Sequence, residues 1–142
     1  MLQVWDLRRN ESVMAVQECE DFISDMAIDS RNRLLLATSG DGTLTSYDIR
    51  HHKHKLTSEN CDAEMLSLGV VKEARKVVCG TGDGVLNIFN WNEFGNICDR
   101  FPGHPLSIDC VLPVSDDVIL TGSMDGYIRC ASCLCVIVLV SS

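Results

Sequence analysis

The chain has 142 residues, of which 46% are hydrophobic, and its 20 acidic side chains against 12 lysines and arginines give a formal net charge of −8 at pH 7. That apolar content suits one domain, and the acidic balance argues against direct binding of a nucleic-acid backbone, which needs clustered cations. No apolar run reaches the roughly 18 residues that span a bilayer, and no secretory signal opens the chain, so the cysteines are expected to be free thiols of a nuclear or cytosolic protein.

In chain order, the first predicted strand ends in VWDLR (4–8), and a more polar strand follows near 12–16. From residue 22 onward, alternating and continuous apolar runs predict a complete four-stranded unit. Its first strand places Met26 and Ile28 on one half-buried face. The four strands are FISDMAID (22–29), RLLLATS (33–39), TLTSYDI (43–49) and the polar KHKLTS (53–58).

This unit recurs every 42 residues. The turn aspartates Asp41, Asp83 and Asp125 keep that step. On the same step, the inward pair Met26 and Ile28 recurs as Leu68 and Val70, then as Cys110 and Leu112. Repeats of about 40–45 residues are typical of propeller blades, each made of four strands.

The turn between the second and third strands carries an Asp-Gly pair in every unit: Asp41–Gly42, Asp83–Gly84 and Asp125–Gly126. Asp-Gly between two apolar strands predicts a tight hairpin, because glycine accepts positive φ and aspartate bonds to nearby N–H groups. The alternative is a carboxylate cluster for catalysis or calcium. One aspartate per blade favours the structural turn, since either chemistry needs several oxygens in one place.

VWDLR, its variant SYDIR (46–50) and the Gly-His step at 103–104 resemble the WD-repeat β-propeller family. The resemblance implies an all-β fold, a partial β-propeller of about three four-stranded WD-repeat blades. It also implies a buried hydrogen-bonded group made by His104, Ser123 or Thr121, and Asp125. Glu20 and Asp62 take the histidine position of the preceding repeats, so this group is expected to be degraded there.

The blades are predicted as residues 1–19 (end of a first blade), 20–61, 62–103 and 104–130, followed by a divergent apolar tail at 131–142. The repeat pattern is lost from about Cys130, which we interpret as an alternative terminus; a divergent last strand is the other reading. Both ends are expected to be incomplete. Three units and a fragment do not close a ring, so open blade edges predict self-association.

Two sets of three residues, Trp5-Asp6-x-Arg8 and Tyr47-Asp48-x-Arg50, form the candidate partner site. In the family, a W-D-x-R ending marks propellers that dock onto the damaged-DNA-binding adaptor of cullin–RING ubiquitin ligases, and the resemblance implies that role here. The alternative is a solvated arginine paired with a nearby acid. The third copy departs from the pattern, with Asn92 and Leu134 at the arginine position.

No catalytic residues, metal site or cofactor are predicted. The sequence CASCLC (130–135) lacks the second ligand pair of a zinc site, and Cys79 and Cys110 occupy apolar strand positions. The expected function is a non-catalytic protein-interaction scaffold. The repeat sequences are most similar to family members associated with the nucleus and nucleolus, with ribosomal RNA processing and with cullin–RING substrate reception. A generic cytosolic signalling scaffold and a non-functional splice fragment remain alternatives.

Overall fold

The computed structural model describes residues 1–29, 33–71 and 75–132 in full and, for residues 137–140, the backbone. In these ranges the chain forms β-strands joined by turns and contains no helix. The strands are β1 (Leu2–Asp6), β2 (Glu11–Val16), β3 (Ile23–Ile28), β4 (Leu34–Ser39), β5 (Leu44–Asp48), β6 (Lys53–Thr57), β7 (Met65–Val71), β8 (Lys76–Thr81), β9 (Val85–Asn90), β10 (Asp99–Pro102), β11 (Ile108–Pro113), β12 (Val118–Ser123), β13 (Ile128–Ser132) and β14 (Ile137–Val140).

The strands assemble into consecutive antiparallel sheets whose spatial order follows the chain. Strands β1 and β2 form the first sheet, β3–β6 the second, β7–β10 the third and β11–β14 the fourth. Each connection is therefore local, as expected of a repeat in which every unit is one up-and-down sheet. The predicted all-β architecture of four-stranded propeller blades is confirmed.

Burial falls from the inner strands to the outer strand of a sheet. All six residues of β4 are buried, because this strand has neighbours on both sides within its sheet and further sheets on both faces. Strand β6 is exposed over most of its length, which suits a polar outer edge that resists pairing with other chains. The continuous apolar runs of the sequence thus mark the inner strands.

The core lies between sheets, in three layers of interdigitated side chains. Between the second and third sheets, Leu36 and Leu44 pack with Val77, Cys79 and Phe89. The other two layers join the first sheet to the second and the third to the fourth. Each fully buried leucine or valine contributes roughly 1.5–3 kcal/mol, so the packing of sheet on sheet is the main stabilising term.

The face of β3 predicted to be half-buried is instead largely exposed. Met26 is 56% and Ile28 53% exposed. They pair across the sheet with Ala37 and Leu35, which are covered by the first sheet. Because the first sheet has two strands, it covers the part of this face that β4 and β5 form and leaves Met26 and Ile28 of β3 uncovered. The prediction holds for Leu68 and Val70, which pack in the core between the second and third sheets.

The predicted equivalence of Cys110 and Leu112 with Leu68 and Val70 is wrong by one residue. Leu68 pairs with Cys79, whereas the partner of Thr121, the residue 42 positions after Cys79, is Val111. Val111 is buried, while Cys110 and Leu112 are exposed.

The register shift arises in the β9–β10 connection, which is one residue longer than the β5–β6 connection. Asn87 pairs with Arg100, 13 positions later, whereas its counterpart Thr45 pairs with Thr57, 12 positions later. A one-residue shift sends each side chain to the opposite face.

The strand ends form two edges of the molecule, each with its own set of turns. On one edge, the Asp-Gly turns bond to the connections between sheets, as in Cys61 N to Gly42 O and His104 N to Gly84 O; we call it the Asp-Gly edge. On the other, β3–β4 and β7–β8 connections meet the ends of β5 and β9, as in Ile49 N to Arg33 O and Trp91 N to Arg75 O. We call this the arginine edge.

Candidate functional site

The three Asp-Gly turns share one backbone geometry. Gly42, Gly84 and Gly126 have φ of 79°, 82° and 82°, in the left-handed region that favours glycine. Each glycine N–H donates to the carbonyl three residues earlier, on Ser39, Thr81 and Ser123 respectively. The sequence phrase therefore recurs because every sheet reverses direction in the same way.

The aspartates of these turns have different partners. Asp41 accepts from the Thr43 amide at 3.0 Å and from the Glu20 amide at 2.9 Å. Partial burial works to raise the pKa of Asp41, but the hydrogen bonds outweigh it, first that from the Thr43 hydroxyl at 2.6 Å and then that from the Glu20 amide, and the pKa lies below its ordinary value. The Asp83 carboxylate accepts from the Thr81 hydroxyl. Each carboxylate is thus used within its own turn or the adjoining connection.

Asp125 is held by an arginine that the sequence reasoning missed. Arg129 donates to both carboxylate oxygens, at 2.6 and 3.1 Å. Hydrogen bonding from Arg129 lowers the pKa of Asp125 to about 2. The Arg129 side chain is 8% exposed. The Arg129–Asp125 ion pair is therefore buried, and it links the β12–β13 turn to β13.

His104 lies close to this ion pair, because its ring and the Arg129 carbonyl both contact the Thr121 hydroxyl. Its Nε2 is 2.8 Å from the Thr121 hydroxyl. That hydroxyl also lies 3.3 Å from the Arg129 carbonyl oxygen, and when it donates there, Nε2 is the nitrogen that carries the proton. The Nδ1 atom is buried without a hydrogen-bond partner among the described residues. Burial, then the charge of Arg129, lowers the pKa of His104, so the ring stays neutral.

This arrangement resolves which hydroxyl accompanies His104. Thr121 contacts the ring, whereas the Ser123 hydroxyl donates to the Leu106 carbonyl at 3.3 Å and accepts from the Asp125 amide at 3.5 Å. Ser123 therefore shapes the turn. The expected aspartate does not reach the histidine, since Arg129 takes both of its oxygens.

The histidine position of the preceding repeats holds cysteine, so the assignment of Glu20 and Asp62 to that position is wrong. Cys61 and His104 make the same backbone bond to the preceding turn glycine, which fixes their equivalence, and Cys19 lies one 42-residue step earlier. The Cys61 sulfur accepts from Asn87 at 3.4 Å. Burial raises the pKa of Cys61, and the thiol stays protonated. Counting 43 residues back from His104 would have found Cys61.

Trp5, Asp6 and Arg8 meet at the β1–β2 turn on the arginine edge. Asp6 Oδ1 accepts from the Arg8 amide at 2.9 Å, and the guanidinium bonds to both carboxylate oxygens at 3.2 and 3.1 Å. These bonds from Arg8 lower the pKa of Asp6. The Arg8 side chain is 89% exposed, so the aspartate orients it without covering it.

Tyr47, Asp48 and Arg50 occupy the equivalent turn of the second sheet with different contacts. Asp48 accepts from the Arg50 amide at 2.9 Å, but its side chain binds His51 Nδ1 at 2.9 Å. Within the described ranges no ion pair engages the exposed Arg50 guanidinium. Tyr47 is buried, its hydroxyl 3.8 Å from the Cys19 sulfur, whereas Trp5 is exposed. Only the arginines are therefore alike at the surface.

Comparison with known proteins agrees with this geometry. The family model described as WD domain, G-beta repeat matches residues 95–131, which include His104, Thr121 and Asp125. WD repeat-containing protein 55 is 39% identical in Mus musculus, over 94% of this chain, and 40% identical in Homo sapiens, over 92%.

Residues 95–131 match a WD repeat, and the chain resembles WD-repeat proteins over nearly its whole length. A fungal relative from Coprinopsis cinerea, WD repeat-containing protein JIP5, is 39% identical over 90% of the chain. The chain spans about a third of the length of these relatives, 34% of each. Its sheets are WD-repeat blades, and its similarity to WD repeat-containing protein 55 extends over nearly all of them.

The third WD repeat lacks the arginine motif. Asn92 stands at the arginine position, exposed and with a φ of 65°, and the aromatic position holds buried Phe89. Leu134, the fourth copy, lies outside the described residues, as do Cys133 and Cys135 of the CASCLC segment. The candidate docking arginines thus belong to the first two repeats.

In the part of the chain that the structure describes, no three His, Cys, Asp or Glu side chains converge to hold a metal ion. None of its segments forms a helix of the length and apolarity needed to cross a membrane. Buried Cys79 sits in the core, where burial raises the pKa of its thiol. Cys110 is exposed on the fourth sheet, contrary to its expected core position, as a result of the register shift in β11.

Proposed function

We propose that this chain is a non-catalytic scaffold that binds other proteins through the rim of its WD-repeat sheets. Support comes from the WD-repeat architecture and from the exposed arginines, Arg8 and Arg50, presented at equivalent turns of neighbouring sheets. Rigid hairpins hold such side chains at low entropic cost on binding.

The proposed partner is the damaged-DNA-binding adaptor of a cullin–RING ubiquitin ligase. The observation that carries this proposal is that Asp6 holds Arg8 with three hydrogen bonds, two from the guanidinium and one from the backbone amide, while the Arg8 side chain stays 89% exposed. Arginine is enriched among residues that dominate interface energies, because its planar donor fork pairs with carboxylates and carbonyls.

The double variant Arg8→Glu with Arg50→Glu tests this docking. Charge reversal places two carboxylates against the adaptor's hydrogen-bond acceptors, which would otherwise pair with the two guanidinium groups. Co-purification of the adaptor with the tagged chain is therefore expected to fall at least about tenfold. The double variant Lys55→Glu with Arg100→Glu changes the charge equally at exposed positions outside the motif and away from the arginine edge, and it should retain the adaptor. Unchanged adaptor recovery with the first pair would refute the docking.

We further propose a nuclear and nucleolar location, with a role in ribosome biogenesis through ribosomal RNA processing or in substrate reception for the ligase. This rests on the similarity to WD repeat-containing protein 55. A fluorescent fusion of the chain is expected to concentrate in nucleoli. A uniformly cytosolic signal would favour the generic signalling scaffold instead.

A further inference from the structure

We propose that the whole arginine edge of the first three sheets is a docking surface for an acidic polypeptide segment that carries at least one apolar side chain. The inference deepens the scaffold function proposed above and rests on it. It extends the site beyond the two arginine motifs to cations from other turns, and it assigns the chemical class of the bound segment.

The first observation is the segregation of cations to one edge. The turns and strand ends of the arginine edge carry most of the lysines and arginines among the described residues. They are Arg8, Arg9, Arg33, Arg50, Lys53, Arg75 and Lys76. All but Lys76 are exposed. They come from β1–β2, β3–β4, β5–β6 and β7–β8 connections, so four separate turns contribute to one surface.

The opposite edge has no such groups. Its segments are 17–22, 39–43, 58–64, 81–84, 103–107 and 123–127, all described, and they contain neither lysine nor arginine. Their carboxylates are Glu18, Glu20, Asp21, Asp41, Glu59, Asp62, Glu64, Asp83 and Asp125. Across the first three sheets the two edges therefore carry opposite charge, whereas the β11–β12 turn of the fourth sheet adds Asp116 and Asp117 to the arginine edge. An acidic partner is attracted to the arginine edge of the first three sheets and repelled by the Asp-Gly edge.

The described carboxylates that lie among these cations each have a hydrogen-bond partner, including Glu93 of the β9–β10 connection, which accepts from the Asn90 side chain at 2.9 Å. Glu11 pairs with Arg9 at 3.5 Å, and Asp48 binds His51. Asp29 is buried and accepts from the amides of Arg33 and Leu34 at 2.6 and 3.1 Å. These contacts keep carboxylates from neutralising Arg33 and Arg50, which stay open to a partner.

Apolar side chains stand beside the cations. Leu7 is 90% and Trp5 53% exposed, on either side of Asp6 and next to Arg8. Tryptophan and arginine are the residue types that most often dominate interface energies, with apolar anchors surrounded by polar contacts. An acidic segment with a leucine, phenylalanine or similar residue would match both features.

A polypeptide fits this surface better than RNA. The edge intersperses its cations with Asp6, Glu11 and Asp48, which would repel the closely spaced phosphates of a nucleic-acid strand. A peptide places its carboxylates selectively and can put an apolar residue against Trp5 and Leu7. The net charge of −8 further opposes an extended polyanion that reaches beyond the edge.

The test measures fluorescence anisotropy of a labelled glutamate–leucine copolymer titrated with the full chain at low salt. The triple variant Arg33→Gln, Lys53→Gln, Arg75→Gln leaves both arginine motifs intact and is expected to weaken binding at least about tenfold. The matched control, Gln17→Glu, Leu106→Glu, Met124→Glu, makes the same change in net charge at exposed positions of the Asp-Gly edge. It should bind within about twofold of the unaltered chain. Circular dichroism verifies that both variants are folded.

Equal weakening by the two triple variants would overturn the proposal, because it would trace binding to net charge alone. So would tighter binding of labelled polyuridine RNA than of the copolymer, or sedimentation showing that a second copy of the chain occupies the edge. If the triple variant loses copolymer binding while the Arg8→Glu, Arg50→Glu variant still binds the adaptor, the proposed docking surface is supported and only the proposal of the adaptor as partner is refuted.

Discussion

Single residues determine which buried polar contacts stabilise the fourth sheet, and His104 is the clearest case. Its imidazole is 8% exposed, bonds to Thr121 and faces the charge of Arg129. A proton on this ring would be buried near a guanidinium without a carboxylate to receive it, since Asp125 is fully used by Arg129. The neutral ring is therefore the form compatible with the native sheet.

His104 should make the fold sensitive to mild acid. Its pKa is lowered in the native state from an unfolded value near 6.5, so below about pH 6.5 the unfolded chain binds the proton and the native chain resists it. Stability is then fully present above that pH and decreases as the pH falls toward the native pKa, with a slope of at most about 1.4 kcal/mol per pH unit.

Denaturant unfolding at pH 7.5 and 5.5 measures this effect. The variant His104→Gln is expected to reduce the difference in the free energy of unfolding between the two pH values. The control His52→Asn removes an exposed histidine at a φ of 52° that asparagine also tolerates. An equally steep loss of stability in His104→Gln would show that other groups cause it.

Sequence reasoning located His104, Thr121 and Asp125 but not the bond network. On the 42-residue step, Arg129 aligns with Asn87 and Thr45. All three are buried, yet they share no chemistry, so periodicity gives no reason to expect an arginine. Its capture of Asp125 depends on side-chain geometry that spacing does not encode.

At the scale of elements, the Asp-Gly hairpins are alike in backbone but differ in surroundings. Gly84 and Gly126 have the same φ of 82°. A Cβ at Gly84 would overlap the carbonyl oxygen of His104, whereas a Cβ at Gly126 would meet nothing within 4 Å. Substitutions at Gly126 and Gly84 therefore distinguish the free-energy cost of backbone strain from that of steric crowding.

We therefore expect Gly126→Ala to destabilise the chain by about 1–2 kcal/mol through positive φ alone. Gly84→Ala should cost roughly 1–3 kcal/mol more, because the neighbouring connection must move. Urea unfolding of both variants, with equal m-values, tests the difference. Equal losses of stability would mean that the turn and the His104 connection are not in contact.

Element boundaries followed from apolar pattern, while strand register did not. The continuous runs of β4, β8 and β12 and the polar outer strands were predicted within a few residues. The burial of Val111 in place of Leu112 was not, because it depends on one additional residue in the β9–β10 connection. A fixed step of 42 carries no information about where a repeat lengthens.

For the whole molecule, the sequence predicted sheets and their order but not the exposed face of the second sheet. Met26 and Ile28 have the pattern of inward residues, and their exposure follows from what the neighbouring sheet covers. A side chain's position within a sheet follows from its own strand, whereas its contact across sheets depends on another repeat. The packing between blades is therefore the part that local pattern leaves open.

The separation of cations and carboxylates gives the molecule an electric dipole directed across its strands. Despite its excess of negative charge, the chain should adhere at low ionic strength to a sulfonate resin, with the arginine edge toward the resin. Its retention would then report the orientation of the molecule and not its net charge. A sparsely charged anionic surface that touches only this edge would meet the chain in the same pose, with the Asp-Gly turns facing the solution.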